Sequence, residues 1–335
     1  MKRKWIISLV CMFFLAALIG FTAKFSKKED KPKIVVVAKS LDTEFWKTFG
    51  AGAQRAFDDL DIDGEVIAPD AIYPITNEAN TLKKVLRKHP DALIVTPIHP
   101  SVTIPVLMEY KKENIPVLFA GRDAEWKDKV TYIGTDHLVL GTKAGELLGS
   151  MLHPGDQVAI IHGNLQDPAL MERTEGARMA LEEAGIEIVT EQLGEDQSEN
   201  TVSVTGNILQ NYPHIKGIVA TGDLIALDAL KTIEEKGLKI PVVGVDGITN
   251  MAKQVKSGKL SATVAQNPYD IGYISVEQAW KTIHGRGVPK RIDSGVDIIT
   301  LDNVKDKLDF LTEILHPKDY ILKIERLRNS LFNLS

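Results

Sequence analysis

The chain has 335 residues, and its composition argues against several classes of protein before any motif is considered. A single hydrophobic core stops growing near about 250 to 300 residues, so this length predicts two packed units. The sequence holds 40 Lys and Arg against 45 Asp and Glu, a net charge of -5, and lacks the basic field that nucleic-acid binding requires. We therefore expect no nucleic-acid partner.

The cysteine and histidine content argues against redox and metal chemistry. The one cysteine, Cys11, lies in an apolar N-terminal segment, so the rest of the chain can form neither an internal disulfide nor a thiolate metal site. His99, His137 and His162 lack the spacing of metal ligands and are interpreted as surface or hydrogen-bonded core residues. We expect no metal ion and no cofactor.

Residues 5–23 are almost wholly apolar and lie between positively charged residues. About 20 apolar residues are enough for a helix to cross a hydrocarbon core of ~30 Å. The segment has no clear small-residue cleavage pattern, so an uncleaved transmembrane anchor is favoured over a removed signal peptide. A short charged tether follows and ends at Pro32.

From Lys33 onward, short apolar runs alternate with helical patterns. The runs are continuous in Val and Ile, which is typical of strands covered on both faces, and the helices between them indicate parallel sheets. A turn signal at residues 153–156 precedes a new strand and marks the entry into a second lobe. The runs are residues 34–38, 92–96, 115–120, 158–161, 217–221, 240–245 and 262–265.

Two aromatic residues, Phe45 and Trp46, follow the first predicted strand and lie in the first turn of a helix. Ligands of open α/β sheets bind beyond the carboxyl ends of the strands. A sugar has a face of C–H groups and a rim of hydroxyls, so its site needs an aromatic plane and fixed polar groups. Trp46 is the candidate for that plane; the alternative is that both aromatics are core residues.

Charged residues also follow predicted strands. Arg122 and Asp123 come after the run at 115–120, where an arginine fork or a carboxylate can hold two adjacent hydroxyls. The alternative is a solvated loop.

Further polar candidates lie in the second half of the chain. An aspartate at a helix start, such as Asp223, is often an N-cap worth ~1 kcal/mol. Polar residues recur at strand ends in both halves, however, which favours a binding role. The later candidates are Arg173, Asp223, Asp246 and Gln266.

The ordered set of these motifs resembles periplasmic sugar-binding proteins of the ribose-binding type, which are related to the lactose-repressor ligand core. The resemblance runs from about residue 33 to residue 302. It implies that two aromatic side chains sandwich a sugar ring and that polar side chains bond its hydroxyls. The motifs lie at residues 45–46, 115–117, 134–136, 173–176, 242–247, 257–266 and 270–272. The implied contacts are Phe45, Trp46, Arg122, Arg173, Asp246 and Gln266.

The sequence departs from the family pattern at three places. Gly121 stands where the family commonly has an aspartate, and Gly222 stands where it has an asparagine. Asp123 and Asp223 are the adjacent candidates to replace them. An aromatic residue expected near 196–197 is absent. These departures predict a site that differs from an unchanged ribose site.

The resemblance also implies the fold class, α/β with two doubly wound parallel-sheet lobes joined by a three-strand hinge, the type I periplasmic binding protein fold. The chain is expected to cross between lobes near residues 135–136, 266–267 and 293–296. A C-terminal helical extension is also predicted, which either packs on its own lobe or offers an apolar stripe to a partner. The predicted parts are residues 1–32 (anchor or signal segment with tether), 33–135 with 267–294 (N-terminal lobe), 136–266 with 295–312 (C-terminal lobe) and 313–335 (C-terminal helical extension).

The sequence carries no standard catalytic motif, so we expect a binding protein and not an enzyme. A repressor of this architecture would begin with a DNA-binding module, where this chain has an apolar segment. The predicted function is extracytoplasmic binding of a monosaccharide or related polyol by hinge closure, as part of an ABC-type sugar uptake system with a membrane permease as partner. The alternative is a membrane-tethered sugar sensor that reports to a sensor histidine kinase. In either case the folded body lies on the extracytoplasmic side of the cell membrane.

Overall fold

The computed structural model describes residues 31–70, 74–195 and 199–316. The predicted membrane anchor at residues 5–23 and most of the predicted extension, residues 317–335, lie outside the described residues. Among the helices that are described, none is both long enough and apolar enough to span a bilayer.

Strands and helices alternate along most of the described chain, as the sequence predicts. The strands are β1 (Lys33–Val37), β2 (Asp63–Ile67), β3 (Ala92–Val95), β4 (Val117–Ala120), β5 (Tyr132–Gly134), β6 (Gln157–His162), β7 (Glu187–Leu193), β8 (Gly217–Ala220), β9 (Val242–Val243), β10 (Val245–Asp246), β11 (Ala262–Gln266), β12 (Arg291–Asp293) and β13 (Val296–Thr300). The helices are α1 (Glu44–Asp59), α2 (Pro74–Leu86), α3 (Pro100–Lys112), α4 (His137–Gly149), α5 (Pro168–Glu183), α6 (Glu199–Asn211), α7 (Asp223–Glu235), α8 (Thr249–Lys256), α9 (Pro268–Ile283) and α10 (Val304–Leu315).

The first sheet has six parallel strands in the order β12-β5-β4-β3-β1-β2. Helices cover both of its faces, which explains the continuous apolar runs. In β1, Ile34 and Val36 pack with α1 and α9, while Val35 and Val37 pack with α2 and α3. Successive side chains of a strand point to opposite faces, so each face takes every second residue.

The second part of the chain forms a four-stranded parallel sheet, β7-β6-β8-β9, and a three-stranded sheet, β10-β11-β13. Only Gly244 separates β9 from β10. Helices α4 and α5 pack against Val158 and Ile160 of β6, and α6 and α7 pack on the other face against Ala159 and Ile161. The predicted α/β fold with parallel sheets is confirmed.

One strand departs from the parallel arrangement. β13 pairs antiparallel with β11, with Ala262 opposite Thr300. Only Ser294 and Gly295 separate β12, in the first sheet, from β13, so the chain passes directly from one sheet to another at this point.

The chain passes between the first sheet and the other two at three places, which lie together. These are the links from β5 to α4, from β11 to α9 and from β12 to β13. The amide of Asp136 donates to Asp293 Oδ1 at 3.1 Å, and the amide of Ser294 donates to the Gly134 carbonyl at 2.9 Å. These bonds join the first and third links. The predicted residue limits of the two lobes remain a proposal.

Helices α1 and α9 approach each other through reciprocal glycine contacts. A Cβ added at Gly52 would lie 1.9 Å from the carbonyl oxygen of Tyr269, and one at Gly272 would lie 2.0 Å from that of Phe49. Any side chain at either position would push the two helices apart. This close packing fixes the start of α1, which carries Phe45 and Trp46.

Helices α4 and α5 repeat the arrangement in the second half of the chain. A Cβ added at Gly141 would lie 2.0 Å from the carbonyl oxygen of Arg173, and one at Gly176 would lie 2.2 Å from that of Leu138. The backbone of Arg173 is therefore held directly against α4.

Candidate ligand-binding site

Three of the predicted polar residues meet at the carboxyl ends of the strands. Arg173 is buried, and its Nη1 donates to the Thr221 carbonyl at 2.8 Å and to Asp246 Oδ1 at 3.1 Å. Gln266 Nε2 donates to the same carboxylate oxygen at 2.6 Å. Hydrogen bonds with ionised groups are stronger than neutral ones, so this cluster forms a fixed polar surface.

Asp246 is held in an unusual backbone conformation. Its φ is +138°, in a region that residues with a Cβ rarely adopt, and Gly247 follows with φ +76°. Such strain costs on the order of 1 to 3 kcal/mol and is typical of binding and catalytic sites.

Asp223 lies beneath the loop that follows Asp246, and it is not among the described residues that line the two cavities beside the polar cluster. It is fully buried, and its Oδ2 accepts from the amides of Gly247 at 2.6 Å and Ile248 at 2.8 Å. Burial raises its pKa, and the neighbouring Asp246 raises it further. The N-cap of α7 is Gly222, so Asp223 is neither a cap nor exposed to the cleft. Its side chain instead sets the position of the loop.

His137 is a site residue that sequence reasoning did not select. It is buried, and its Nδ1 lies 3.3 Å from Arg173 Nε, which donates to it. Burial, together with the charges of Arg173, Arg291 and Arg122, lowers the pKa of His137 to about 3. The neutral imidazole accepts at Nδ1 and so carries its proton at Nε2. The structure confirms it as a hydrogen-bonded core residue, and only its place after Asp136 at the end of β5 hinted at the site.

The two aromatic residues have different surroundings. Phe45 is half-buried and lines a cavity. Trp46 is only 8% exposed and meets Phe49 edge to face at 5.4 Å. Its ring also covers Gly121, where an added Cβ would lie 2.9 Å from Trp46 Cη2. Trp46 thus packs mainly in the core, as the alternative interpretation held, and its role as a sugar-stacking plane stays a prediction.

The structure separates Arg122 from its neighbour Asp123. Arg122 forms an ion pair with Asp167 at the start of α5, so it joins the end of β4 to the second half of the chain. Asp123 forms an ion pair with Lys129 and accepts from the amide of Ala124 at 2.8 Å. Asp123 also lies 4.0 Å from Arg291 Nη1 of β12, and the structure does not bring it to the cluster.

A second link between the two halves involves residues that the sequence analysis did not select. Glu44 Oε1 accepts from the backbone amide of Thr249 at 2.6 Å and from its hydroxyl at 2.8 Å. Glu44 begins α1 beside the first sheet, and Thr249 begins α8. In sequence, Glu44 looks like an ordinary acidic residue in the first turn of a helix, so no local signal revealed the contact.

Two cavities adjoin the polar cluster, and Asp246 lines both. One has a volume of about 50 Å³ and also contacts Phe45 and Gln266. The other has a volume of about 450 Å³, which lies within the range of about 300 to 1,000 Å³ that is usual for small-molecule sites. The described residues that line the larger cavity are Gly163, Asn164, Gln166, Leu170, Arg173, Leu193, Gly194, Glu195, Thr221, Gly222, Ile225 and Asp246.

A parallel α/β fold with a polar cluster and a cavity at its strand ends defines a small-molecule binding protein. The periplasmic binding protein domain family matches residues 34–287, and the chain belongs to that family. The predicted resemblance to its ribose-binding type is confirmed.

Individual relatives agree with this assignment. The chain is 26% identical over 285 residues to the ribose import binding protein RbsB of Haemophilus influenzae, covering 85% of this chain and 97% of that protein. It is 29% identical over 236 residues to the Bacillus subtilis protein of the same name, covering 70% and 77%. A solved solute-binding protein of Actinobacillus succinogenes with bound D-allose is 28% identical, with a TM-score of 0.76, and the match covers 82% of this chain and 100% of that one.

Proposed function

We propose that this protein binds a monosaccharide or a related polyol outside the cytoplasm and delivers it to the permease of an ABC-type uptake system. The observation that carries the proposal is the cluster of Arg173, Asp246 and Gln266 beside a cavity of about 450 Å³. Ionised and amide side chains of this kind bind the hydroxyls of a sugar, which both donate and accept hydrogen bonds.

The relatives support this choice of ligand and role. Their names describe ribose import and ribose or allose binding, and one solved relative holds D-allose. The relatives are binding proteins of transport systems, which supports a role without catalysis.

Binding is proposed to occur between two lobes with the residue limits predicted from the sequence. The pairing of β12 with the first sheet and of β13 with β11 supports a boundary between residues 294 and 295. The ion pair of Arg122 with Asp167 and the bonds of Glu44 to Thr249 join the two lobes. A ligand that bonds both lobes shifts the equilibrium towards the closed form by its preference for that form.

Calorimetric titration and thermal-shift measurement of the full chain with pentoses, hexoses and polyols test the proposal. We expect at least one sugar to bind. We also expect Asp246→Ala to abolish the ligand-dependent shift without unfolding the unliganded protein, because Asp246 is partly exposed to the cavity. Asp63→Ala, an exposed position at the start of β2, is the matched control and should bind normally. If no saccharide gives a heat of binding or a change in melting temperature, the proposal is rejected.

The apolar segment at residues 5–23 favours a second candidate, a membrane-tethered sensor that reports sugar to a histidine kinase. Crosslinking in native membranes distinguishes the two. Recovery of a permease supports delivery, and recovery of a kinase supports sensing.

A further inference from the structure

The guanidinium of Arg173 is bonded within the protein through two of its three nitrogens. Its Nε donates to His137 Nδ1 at 3.3 Å, and its Nη1 donates to the Thr221 carbonyl at 2.8 Å and to Asp246 Oδ1 at 3.1 Å. The hydrogen bonds that Arg173 forms within the described residues use only these two nitrogens. Because Arg173 lines the larger cavity, the two N–H groups of Nη2 are the donors left for a molecule bound there.

The contact with His137 decides the direction in which Nη2 points. A guanidinium is planar and rigid, so two fixed nitrogens determine where the third lies. The Thr221 carbonyl and Asp246 hold Nη1, while among the described residues His137 is the acceptor that holds Nε. Without that acceptor the guanidinium could rotate about Nη1.

One face of α4 contacts Arg173 at both its backbone and its guanidinium. Gly141 lies against the backbone, where an added Cβ would be 2.0 Å from the Arg173 carbonyl oxygen. His137 lies one turn earlier on the same helix, and residues four apart share a face. His137 is 6% exposed and Arg173 is 7% exposed, so water competes little for the bond between them. The same helix that fixes the backbone of Arg173 thus also fixes its guanidinium.

The bond requires a neutral imidazole. A protonated imidazole donates at both nitrogens and would place an N–H against the Nε–H of Arg173. Burial and then the positive charges of Arg173 on α5, Arg291 on β12 and Arg122 after β4 lower the pKa of His137. The ring therefore keeps its acceptor at Nδ1 well below neutral pH.

Resting on the proposed function, we propose that His137 is a positioning residue for sugar binding, whose Nδ1 holds Arg173 Nε so that Nη2 donates to a hydroxyl of the sugar. It acts through Arg173 and does not itself bond the sugar. A side chain without an acceptor at this position releases Nε, and binding then has to fix a guanidinium that is free to rotate.

Two substitutions of similar size test the role of the acceptor. Asparagine can place an amide oxygen near the position of the histidine Nδ1, whereas leucine offers no acceptor. The full chain is titrated by calorimetry with D-ribose, D-allose and the other pentoses, hexoses and polyols. For the sugar that binds the native protein most tightly, we expect His137→Leu to weaken the affinity about 10-fold and His137→Asn by less than about threefold.

A matched control is available at another hydrogen-bonded histidine. His284 is exposed at the end of α9, and its Nδ1 lies 2.7 Å from the Trp280 carbonyl oxygen. It is not among the described residues that line the two cavities, so His284→Leu should bind sugar like the native protein.

A second background distinguishes positioning from a general structural role. Lysine at position 173 keeps the positive charge but has neither an Nε–H nor a planar guanidinium. We expect His137→Leu to weaken sugar binding by less than about threefold in the Arg173→Lys background, because the group that it would release is absent. Equal losses in the two backgrounds would mean that His137 does not act through Arg173 and would overturn the inference.

Nitrogen NMR of the unliganded protein tests the contact without any sugar. From about pH 7 to about pH 5, we expect the native His137 to carry its proton at Nε2 and the Arg173 Nε–H to exchange slowly with water. Exchange should be about 10-fold faster in His137→Leu and should stay slow in His137→Asn. A proton on Nδ1 of the native protein would overturn the inference.

The outcomes separate this inference from the proposed function. If a sugar binds and His137→Leu has the affinity of the native protein, the inference fails while the proposed function stands. If no saccharide binds the native protein, both fail.

Discussion

At the scale of single residues, Asp246 joins a strained backbone to a buried hydrogen-bond network. Its φ of +138° suits glycine better than any residue with a Cβ. Asp246→Ala and Asp246→Gly both remove the carboxylate, but only the glycine variant relieves the backbone. We expect the glycine variant to be more stable than the alanine variant by about 1 to 3 kcal/mol in its free energy of unfolding, measured by urea denaturation.

The comparison isolates the effect of the backbone conformation, because both variants remove the carboxylate that accepts from Arg173. Neither variant should bind sugar. Equal stability of the two would show that the conformation at residue 246 is not strained.

His137 gives the unfolding free energy a defined dependence on pH. The ordinary pKa of 6.5 applies to the unfolded chain, while burial lowers the pKa of the folded imidazole to about 3. Below pH 6.5 the unfolded state therefore binds a proton that the folded state does not. This contribution to stability is complete above pH 6.5 and is lost as the pH falls towards 3.

From about pH 7 to about pH 5, we expect the native sequence to lose about 2 kcal/mol more unfolding free energy than His137→Asn, which has no such proton to bind. Denaturation at the two pH values measures the difference. Parallel losses in the two proteins would mean that His137 is protonated in the folded state.

Sequence reasoning located some residues of the site better than others. Asp246 and Gln266 end strands, and Arg173 lies in the helix after β6, so the topology brings these positions together. Asp123 and Asp223 occupy equivalent positions, yet Lys129 and the amides after Asp246 hold their carboxylates elsewhere. The direction of a side chain depends on partners that are distant in sequence, and a single sequence does not reveal them.

At the scale of secondary-structure elements, α3 depends on a carboxylate from α2. Glu78 is fully buried, and its oxygens accept from the amides of Ile98 and His99, each at 2.9 Å, and from the Thr103 hydroxyl. The N-cap residue of α3, His99, makes no capping hydrogen bond through its side chain. The Glu78 carboxylate instead accepts from amides at the start of the helix that would otherwise be unpaired.

We expect Glu78→Ala to lower the free energy of unfolding by about 3 kcal/mol, because it leaves several buried donors without partners. Sugar affinity should not change, since Glu78 lies outside both cavities. The exposed Glu109→Ala on α3 is the control and should change stability by less than about 0.5 kcal/mol. A chemical denaturation curve for each variant measures the effect, and a similar small change in both would contradict this role.

Many of the strands were predictable, although no apolar run was assigned at β2, β5 or β7. The seven apolar runs contain or overlap strands of the structure, because a strand buried on both faces needs apolar residues at every position. The short strands β12 and β13 were expected only as crossing segments. β12 is mostly exposed and β13 is only partly buried, so neither carries a continuous apolar run.

At the scale of the whole molecule, Glu44 and Thr249 connect parts of the chain that are 205 residues apart. If the lobes open and close, this pair forms only in the closed state. Glu44→Ala should favour the open state, because each bond from a charged group stabilises by about 1.5 to 3 kcal/mol. We expect a larger radius of gyration without ligand in solution scattering and a weaker sugar affinity.

Glu109→Ala serves as the control here as well, since it removes an exposed carboxylate that lies far from the contact in sequence and on another helix. An unchanged radius of gyration together with unchanged affinity in Glu44→Ala would show that the pair does not influence the equilibrium.

The reciprocal glycine contacts limit how this protein can be engineered. Replacing a helical glycine with alanine ordinarily raises melting temperature, since it reduces the freedom of the unfolded chain. At Gly141 and Gly176 the added methyl group would instead push α5 outward and carry the Arg173 guanidinium with it. Glycine-to-alanine substitutions made here to raise the melting temperature would therefore weaken ligand binding, although neither glycine lines the described cavities.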